Sequence, residues 1–262
     1  TGNFSLNRRK IKHLYGNMKN ILDADGNIIG QVEDDDITNK WFIGEDPDRI
    51  WDYIGDGVWQ QDEAEEAAKY GCQPGDFKYL DLNENGKLDQ DDKRHQKYTT
   101  PRFRWTLRNN FQLFNDLDVS FMLYSLWGHH GSYADAANNN FDASISCGYD
   151  QPYWTPENPT SDIPAATNSS SNRVISSRII EDGSYLRLKN ATVSYTFDLR
   201  KKTRLLRDIT LAVTGENLWL WTKYNGFDPD VSSEGTSSTL RRVDMGAYPR
   251  SRMFVFSIQL RY

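Results

Sequence analysis

Residues 81–92, DLNENGKLDQDD, have the spacing of a calcium-binding loop. Calcium prefers oxygen ligands, and an EF-hand loop supplies them from positions 1, 3, 5, 7, 9 and 12, with a glycine at position 6 for the sharp turn. Gly86 stands at that sixth position. The candidate ligands are Asp81, Asn83, Asn85, the backbone carbonyl of Lys87, Asp89 and Asp92.

This loop departs from the EF-hand pattern at its last position. Asp92 replaces the usual bidentate glutamate, and three of the candidate ligands are carboxylates. We therefore expect weak, structural calcium binding, with a dissociation constant on the order of 10⁻⁴–10⁻³ M. The alternative interpretation is an Asp/Asn/Gly turn that binds no metal.

The sequence gives no comparable signal for catalysis. It contains no nucleophile elbow, phosphate-binding loop or zinc-ligand spacing, so we predict that the chain is not an enzyme. The formal net charge of −6 argues against a nucleic-acid partner. Cys72 and Cys147 permit at most one disulfide, and we expect two free thiols.

Charge and aromatic residues are unevenly distributed along the 262 residues. Residues 17–92 carry 21 acidic and 6 basic side chains, as expected of a long solvated insertion, whereas residues 183–262 carry 7 acidic and 13 basic ones. Aromatic residues make up 13% of the chain, and they suit either the aromatic girdles of a membrane barrel or surfaces that stack on sugars.

In the final segment, RMFVFSIQLRY at 252–262, every second side chain from Phe254 to Tyr262 is apolar, and those between them are mostly polar. Successive side chains of a strand point to opposite faces, so this strand has one apolar and one mostly polar face. The same alternation predicts strands at 102–114, 117–127, 185–197 and 209–221, while 4–15 is an irregular candidate and 62–70 a short helix. A soluble sandwich and a transmembrane barrel both fit this pattern.

Connection lengths favour the barrel. Asn115-Asp116 and residues 199–208 form short turns, whereas residues 17–100, 128–182 and 222–250 form long loops. Outer-membrane barrels combine short periplasmic turns with long extracellular loops in this way. The strands predicted by this alternation are too few to close a barrel, for which about 8 strands is the lower end.

Several short motifs, ordered along residues 74–262, resemble those of the C-terminal part of the SusC/RagA-type TonB-dependent outer-membrane transporters. They are PGDFKYLDLN (74–83), GKLD (86–89), WTPENP (154–159), EDGSYLRLKN (181–190), GENL (215–218), YNGFDP (224–229) and the closing strand (248–262). Residues 1–73 match only loosely.

This resemblance implies that residues 1–262 are the C-terminal portion of a large antiparallel transmembrane β-barrel, a fragment that is not a closed barrel alone. It implies a place in the cell outer membrane, in contact with its lipid, and import of an oligosaccharide or peptide ligand. It also implies a SusD-like lipoprotein as partner, and energy from TonB through the missing N-terminal part. The alternatives are a secreted, calcium-stabilised all-β glycan-binding module and a secreted glycoside hydrolase.

Overall fold

The computed structural model describes residues 1–14, 16, 18–133, 153–160, 163–165, 180–201, 205–230, 243–244 and 248–262. The elements are β1 (Gly2–Leu6), β2 (Met18–Leu22), β3 (Ile28–Glu33), β4 (Arg49–Asp52), β5 (Gly55–Val58), a 3₁₀ turn (Gln61–Glu63), α1 (Ala64–Lys69), β6 (Phe77–Tyr79), a second 3₁₀ turn (Gln90–Asp92), β7 (Arg94–Tyr98), β8 (Phe103–Leu113), β9 (Leu117–Trp127), β10 (His130–Tyr133), β11 (Ile180–Asp182), β12 (Tyr185–Asp198), β13 (Asp208–Thr222), β14 (Val243–Asp244) and β15 (Met253–Arg261).

The chain divides into two compact units. The first comprises Thr1–Asn7, Thr100–Gly131 and Asp182–Tyr262, and the second comprises Arg8–Thr99 and Ser132–Glu181. The first unit contains a six-stranded sheet in the order β1-β8-β9-β12-β13-β15, and the paired strands are antiparallel. The five strands predicted from 102–262 are all present, with ends within one residue or so of the expected positions.

The sheet is open. Its two edges are β1 and β15, so the described strands form an open sheet and not a closed barrel, as expected of a fragment. The described part of the chain contains no helix that is long and apolar enough to cross a membrane.

Long and short connections leave the sheet at opposite ends. The β8–β9 hairpin turns at Phe114–Asp116, and Tyr195 lies opposite Leu117 beside that turn. Tyr195 is also three residues from the end of β12, where the short 199–207 turn begins. At the other end, Phe103 pairs with both Leu6 and Trp127. The connections 7–102, 128–184 and 223–252 therefore start and finish at this second end.

The two faces of the sheet differ in polarity. Opposite residues in antiparallel strands share a face, so the register defines each face completely. One face carries apolar side chains that are 37–77% exposed: Phe4, Leu6, Leu107, Phe111, Leu113, Val193, Tyr195, Phe197, Leu211, Val213, Trp219, Trp221, Phe254, Phe256, Ile258 and Leu260. We call this the apolar face. The parity predicted for the closing strand is confirmed.

The opposite face, here called the polar face, is lined by hydroxyl, amide and charged groups. Thr192 and Thr214 are hydrogen-bonded across β12 and β13 at 2.9 Å, and Thr196 and Thr210 repeat this contact at 2.9 Å. Ser257 and Gln259 continue this face on β15, where Ser257 lies opposite Ala212 and Gln259 opposite Thr210. A sheet that is apolar on one side and polar on the other follows directly from the two-residue period of its strands.

Aromatic side chains form a row across the apolar face near the end with the long connections. The ring centroids of Phe4 and Phe103 are 6.1 Å apart, those of Phe103 and Trp127 are 6.3 Å apart, and those of Trp127 and Trp221 are 5.8 Å apart. Four strands, β1, β8, β9 and β13, contribute to this row.

The second unit contains three two-stranded ladders and the short helix. β2 pairs with β3, β4 with β7, and β5 with β6. One expectation needs correction here. The irregular strand predicted at 4–15 ends at Leu6, because the next residues include the basic run Arg8-Arg9-Lys10 and form no ladder. The segment 17–100, predicted to be a long loop of the barrel, contains these ladders and helix α1, and this helix confirms the one expected at 62–70.

Candidate functional site

The candidate calcium loop folds as a tight turn whose side-chain oxygens accept backbone N–H groups. The Gly86 N–H donates to Asp81 Oδ2 at 2.8 Å, the Asn85 N–H to Asn83 Oδ1 at 3.0 Å, and the Lys87 N–H to Asn85 Oδ1 at 2.8 Å. Gly86 has φ +77°, which explains the need for glycine at this sixth position. The predicted sharp turn is therefore present.

Asp92 joins the two ends of this loop. Its Oδ1 accepts the Leu82 N–H at 2.8 Å, and its Oδ2 accepts the Asp89 N–H at 2.8 Å. The Asp92 side chain is fully buried, whereas most of the loop is exposed. Asp92, which is shorter than the glutamate usual at the twelfth position, thus closes the loop by accepting backbone N–H groups of other loop residues. The sequence alone did not indicate this role.

The candidate ligands are brought together in part. Asn85 stands between two of them, because its N–H donates to Asp81 Oδ1 at 3.3 Å and its Nδ2 donates to Asp89 Oδ2 at 3.0 Å. Among the residues that the structure describes, no three acidic, histidine or cysteine side chains lie close enough together to hold a metal ion. Calcium binding at this loop stays a prediction.

Tyr70 connects the loop to helix α1. Its hydroxyl donates to Asp81 Oδ2 at 3.1 Å. Partial desolvation by itself would raise the pKa of Asp81, but the Gly86 N–H and the Tyr70 hydroxyl outweigh it and hold that pKa below its usual value. Asp81 is therefore ionised across the physiological pH range, as a cation ligand must be.

Two of the sequence motifs meet in the second unit. Gly75 has φ +93°, and a Cβ placed there would lie 2.7 Å from Trp154 Cε3 and 2.6 Å from the Ala165 Cβ. The Ala165 N–H donates to the Gly75 carbonyl at 2.7 Å, and Trp154 Nε1 donates to Gln60 Oε1 at 2.9 Å. The Trp154 ring is buried, so it packs the unit together and is not available to stack on a sugar.

Three tryptophans of the second unit differ in exposure. Trp59 is 4% exposed and Trp154 is 6% exposed, whereas Trp41 is 47% exposed. The first two are packed inside the unit. Trp41 retains an accessible ring.

Sequence reasoning missed a buried ion pair in the first unit. Arg187 Nη2 donates to Asp228 Oδ1 at 2.5 Å, and both side chains are at most 5% exposed. Asp228 also accepts the Asp230 N–H at 2.9 Å and the Arg250 N–H at 3.3 Å. One carboxylate therefore joins strand β12 to both ends of the 223–252 connection. The only indication of this ion pair in the sequence was that the motifs 181–190 and 224–229 contain residues of opposite charge.

Comparison with known proteins identifies relatives of this chain. It is 29% identical over 202 residues to TonB-dependent receptor P3 of Formosa agariphila, and 28% identical over 195 residues to TonB-dependent receptor P26 of the same species. It is 26% identical over 186 residues to TonB-dependent receptor SusC of Bacteroides thetaiotaomicron. These alignments cover 70–72% of the chain but 17–20% of the relatives, so the chain spans about a fifth of their length. No family model matches the sequence.

Solved structures share the fold over its whole extent. The RagAB peptide importer in its open-open state superposes with a TM-score of 0.68 at 18% identity, covering 100% of this chain and 26% of that one. The closed-closed state of the same importer gives a TM-score of 0.64 at 20% identity, covering 99% and 26%. The named relatives are receptors and not enzymes, in line with the expectation from sequence. The chain therefore resembles part of a SusC-type TonB-dependent receptor, and its open antiparallel sheet corresponds to part of a transporter barrel.

Proposed function

We propose that this chain forms part of the barrel wall and the extracellular loops of an outer-membrane importer. The observation that carries this proposal is the sheet with a continuous exposed apolar face and a polar opposite face. In a transmembrane barrel such an apolar face contacts lipid, and the polar face lines a wet interior. The 11-residue strands β8 and β9 have the length that spans a bilayer at a tilt, about 9–11 residues.

The aromatic row supports the same orientation. Barrels carry girdles of aromatic residues at the membrane interfaces. Phe4, Phe103, Trp127 and Trp221 lie together on the apolar face at the end where the long connections begin. This row would mark the outer interface, so that the connections 7–102, 128–184 and 223–252 are extracellular and the two short turns are periplasmic.

The cargo would be glycan fragments or peptides, moved through the barrel interior without bond chemistry. The relatives support TonB-dependent import, and among the structural neighbours RagAB is described as a peptide importer. A SusD-like surface lipoprotein would close the extracellular side, and TonB would act on a part of the receptor outside these residues.

The transport proposal is tested by deleting the gene for the whole receptor. The mutant and the parent bacterium are grown on a panel of defined oligosaccharides and on defined peptide mixtures as sole carbon sources. We expect the mutant to grow poorly on a narrow set of substrates, and complementation to restore its growth. In the parent, a protonophore at a sublethal dose should abolish uptake of the same substrates. Equal growth and uptake on every substrate tested would contradict the proposal.

Calcium belongs to this proposal in a structural role. Weak binding at residues 81–92 would replace the Asn85–Asp89 contact with cation coordination and would hold the end of the acidic segment before the chain re-enters the sheet at Phe103. What supports it is the loop geometry, in which the Asp81, Asn83 and Asn85 oxygens already turn inward onto the loop backbone.

A further inference from the structure

Two exposed arginines stand on the polar face of strand β8. Arg104 and Arg108 have the same parity as Thr106, whereas Leu107 between them points to the apolar face. Residues that are four apart in a strand are separated by about 13 Å, because each residue advances the strand by about 3.3 Å. The two guanidinium groups therefore stand along one line of the polar face, each with room for its own partner.

An irregularity in strand β12 adds a lysine to this face. The register with both neighbouring strands shifts between Leu188 and Asn190, and Lys189 is the extra residue in the ladder with β9. A bulge of this kind re-aims a side chain. Lys189 is exposed, and its Nζ lies 5.5 Å from the ring centroid of Tyr124, which is on the polar face of β9. We call Arg104, Arg108 and Lys189 the cationic patch.

Tyr124 lies at the centre of the cationic patch. It is directly opposite Thr106, so the two arginines of the patch are its diagonal neighbours across the ladder. On its other side it lies opposite Arg187, which is already engaged by the buried ion pair with Asp228. The patch thus arranges three positive charges around one aromatic ring.

Neighbouring acids do not balance the charge of the cationic patch. Among the described residues, none of its three side chains forms an ion pair. On the polar face of the described strands, Asp118, Asp198 and Asp208 lie at the end with the short turns. Glu216 lies nearer, opposite Asn190, but strands β9 and β12 separate it from the arginines. The half of the polar face nearer the long connections is therefore suited to an anionic ligand.

We infer that the cationic patch binds an anionic cargo, namely an oligomer that carries carboxylate groups. This inference rests on the proposed function, in which the polar face lines the interior through which cargo moves. A guanidinium presents paired N–H donors that fit a carboxylate in a bidentate manner, and a lysine ammonium adds a compact positive charge. Oligosaccharides and peptides both include members with carboxylates, so the patch selects by charge within either class.

The spacing of the patch favours an oligomer over a small acid. One carboxylate occupies one guanidinium fork, and the two forks are about 13 Å apart along the strand. Two carboxylates on one extended ligand would engage Arg104 and Arg108 together. The Tyr124 ring between them offers a flat, partly apolar surface to the segment of the ligand that joins the two charged groups.

The test measures binding to the full-length receptor in detergent by isothermal titration calorimetry. The anionic probes are the hexamers of galacturonic acid and of glutamic acid, and the neutral probes are the hexamers of galactose and of glutamine. The test variant is Arg104→Gln with Arg108→Gln, and Lys189→Gln is tested separately. The matched control is Lys201→Gln with Arg207→Gln, which removes two exposed positive charges at the other end of the sheet.

We expect wild type to bind at least one anionic hexamer more tightly than its neutral counterpart, by about tenfold or more. The test variant should lose about tenfold or more of that affinity, and the control should stay within about twofold of wild type. Lys189→Gln should also weaken binding. Rising salt concentration should weaken wild type more steeply than the test variant, because salt screens the charges that the variant lacks. An unchanged melting temperature of the test variant would show that binding is lost without loss of folding.

Three results would overturn the inference. They are equal affinities for the anionic and neutral hexamers, no binding of either anionic hexamer, and equal affinities of the test and control variants. Each of these results leaves the proposed function intact, because import itself is measured by substrate uptake in the deletion mutant. Unchanged uptake in that mutant is the distinct result that would contradict the proposed function.

Discussion

Phe256 on β15 lies directly opposite Val213 on β13, and both side chains are exposed, by 77% and 41%. In a soluble sandwich these positions would be covered by a second sheet, because side chains from two inner faces interdigitate to form the core. Within the described residues nothing covers them. The large apolar side chains named above for the apolar face are all at least 37% exposed, and this exposure is the physical basis for the proposal that the face contacts lipid.

A charge on the apolar face should be costly in a membrane. Ile258→Arg places a guanidinium next to Leu211 on that face, and we expect the folded receptor to lose about 2–4 kcal/mol if the site lies near the bilayer midplane. Gln259→Arg, on the polar face of the same strand, should cost much less. Urea unfolding of both variants in lipid vesicles measures this difference. Equal losses would mean that the two faces meet the same solvent.

Removing one partner of the buried ion pair should loosen the base of the last long connection. Asp228→Ala leaves the Arg187 guanidinium buried and uncompensated, so the local opening free energy of residues 224–230 should fall by about 3–5 kcal/mol. Replacing both residues together, Arg187→Met with Asp228→Leu, should recover much of this loss.

Hydrogen exchange of peptides from residues 222–230 and 248–252 in the intact receptor measures that opening. Asp198→Ala is the control, because it breaks the exposed Asp198–Arg200 pair at the opposite end of the sheet. Surface pairs of this kind contribute little, so the control should leave exchange unchanged. Equal exchange in all the variants would show that the buried pair does not hold the connection.

Gly75→Ala should disturb the contact between two sequence motifs in the second unit. The new methyl group would overlap the Trp154 ring and the Ala165 Cβ, in addition to the strain of a positive φ. Gly71→Ala carries a positive φ as well, but nothing lies within 4 Å of its Cβ position. We expect Gly75→Ala to destabilise the unit by about 1–3 kcal/mol more than Gly71→Ala. Exchange of the Ala165 N–H, which donates to Gly75, reports the difference.

Calcium should bind the intact receptor through residues 81–92. Asp81→Ala with Asp89→Ala should abolish the calorimetric titration, whereas Glu84→Ala with Asp91→Ala removes two acids from the same loop outside the ligand positions and should preserve it. If the first variant titrates like wild type, the loop is a turn without a metal.

The pH dependence of calcium binding follows from Asp81. Its pKa in the folded loop is lowered, so it is ionised at every pH above its ordinary value of about 3.9. The stability that ionised Asp81 contributes is present above that pH, and it is lost as the pH falls through the lower pKa that Asp81 has in the folded loop. Calcium affinity should therefore change by less than about twofold between pH 7 and pH 5. A tenfold loss over this interval would contradict this expectation.

The strands of the first unit could be predicted because their side chains obey a two-residue period. Phe111 and Gln112, or Ile258 and Gln259, differ enough in polarity to reveal which face each occupies. The tight turn at 81–92 was predictable for a similar reason, since glycine at one fixed position and Asp or Asn at alternate positions specify local backbone geometry.

Long-range contacts left no such local signal. Asp92 lies ten residues from Leu82, Trp154 lies 79 residues from Gly75, and Arg187 lies 41 residues from Asp228, so their partners could not be identified from spacing. The ladders within 17–100 were missed because their strands are only three to six residues long, which is too short for alternation to stand out. The 4–15 segment was extended too far because its apolar residues continue without a ladder to hold them.

The proposed lipid contact of the apolar face is tested most directly by the accessibility of successive positions on β15 in the intact receptor in its native outer membrane. Single cysteines replace residues 254 to 259 in a background without Cys72 and Cys147, and each carries a nitroxide label. Collisions with oxygen, which partitions into lipid, and with a water-soluble nickel complex are measured by electron paramagnetic resonance. We expect labels at 254, 256 and 258 to collide with oxygen and those at 255, 257 and 259 to collide with nickel. Nickel accessibility at 256 and 258 equal to that at 257 would contradict a lipid-facing sheet and favour a soluble all-β module.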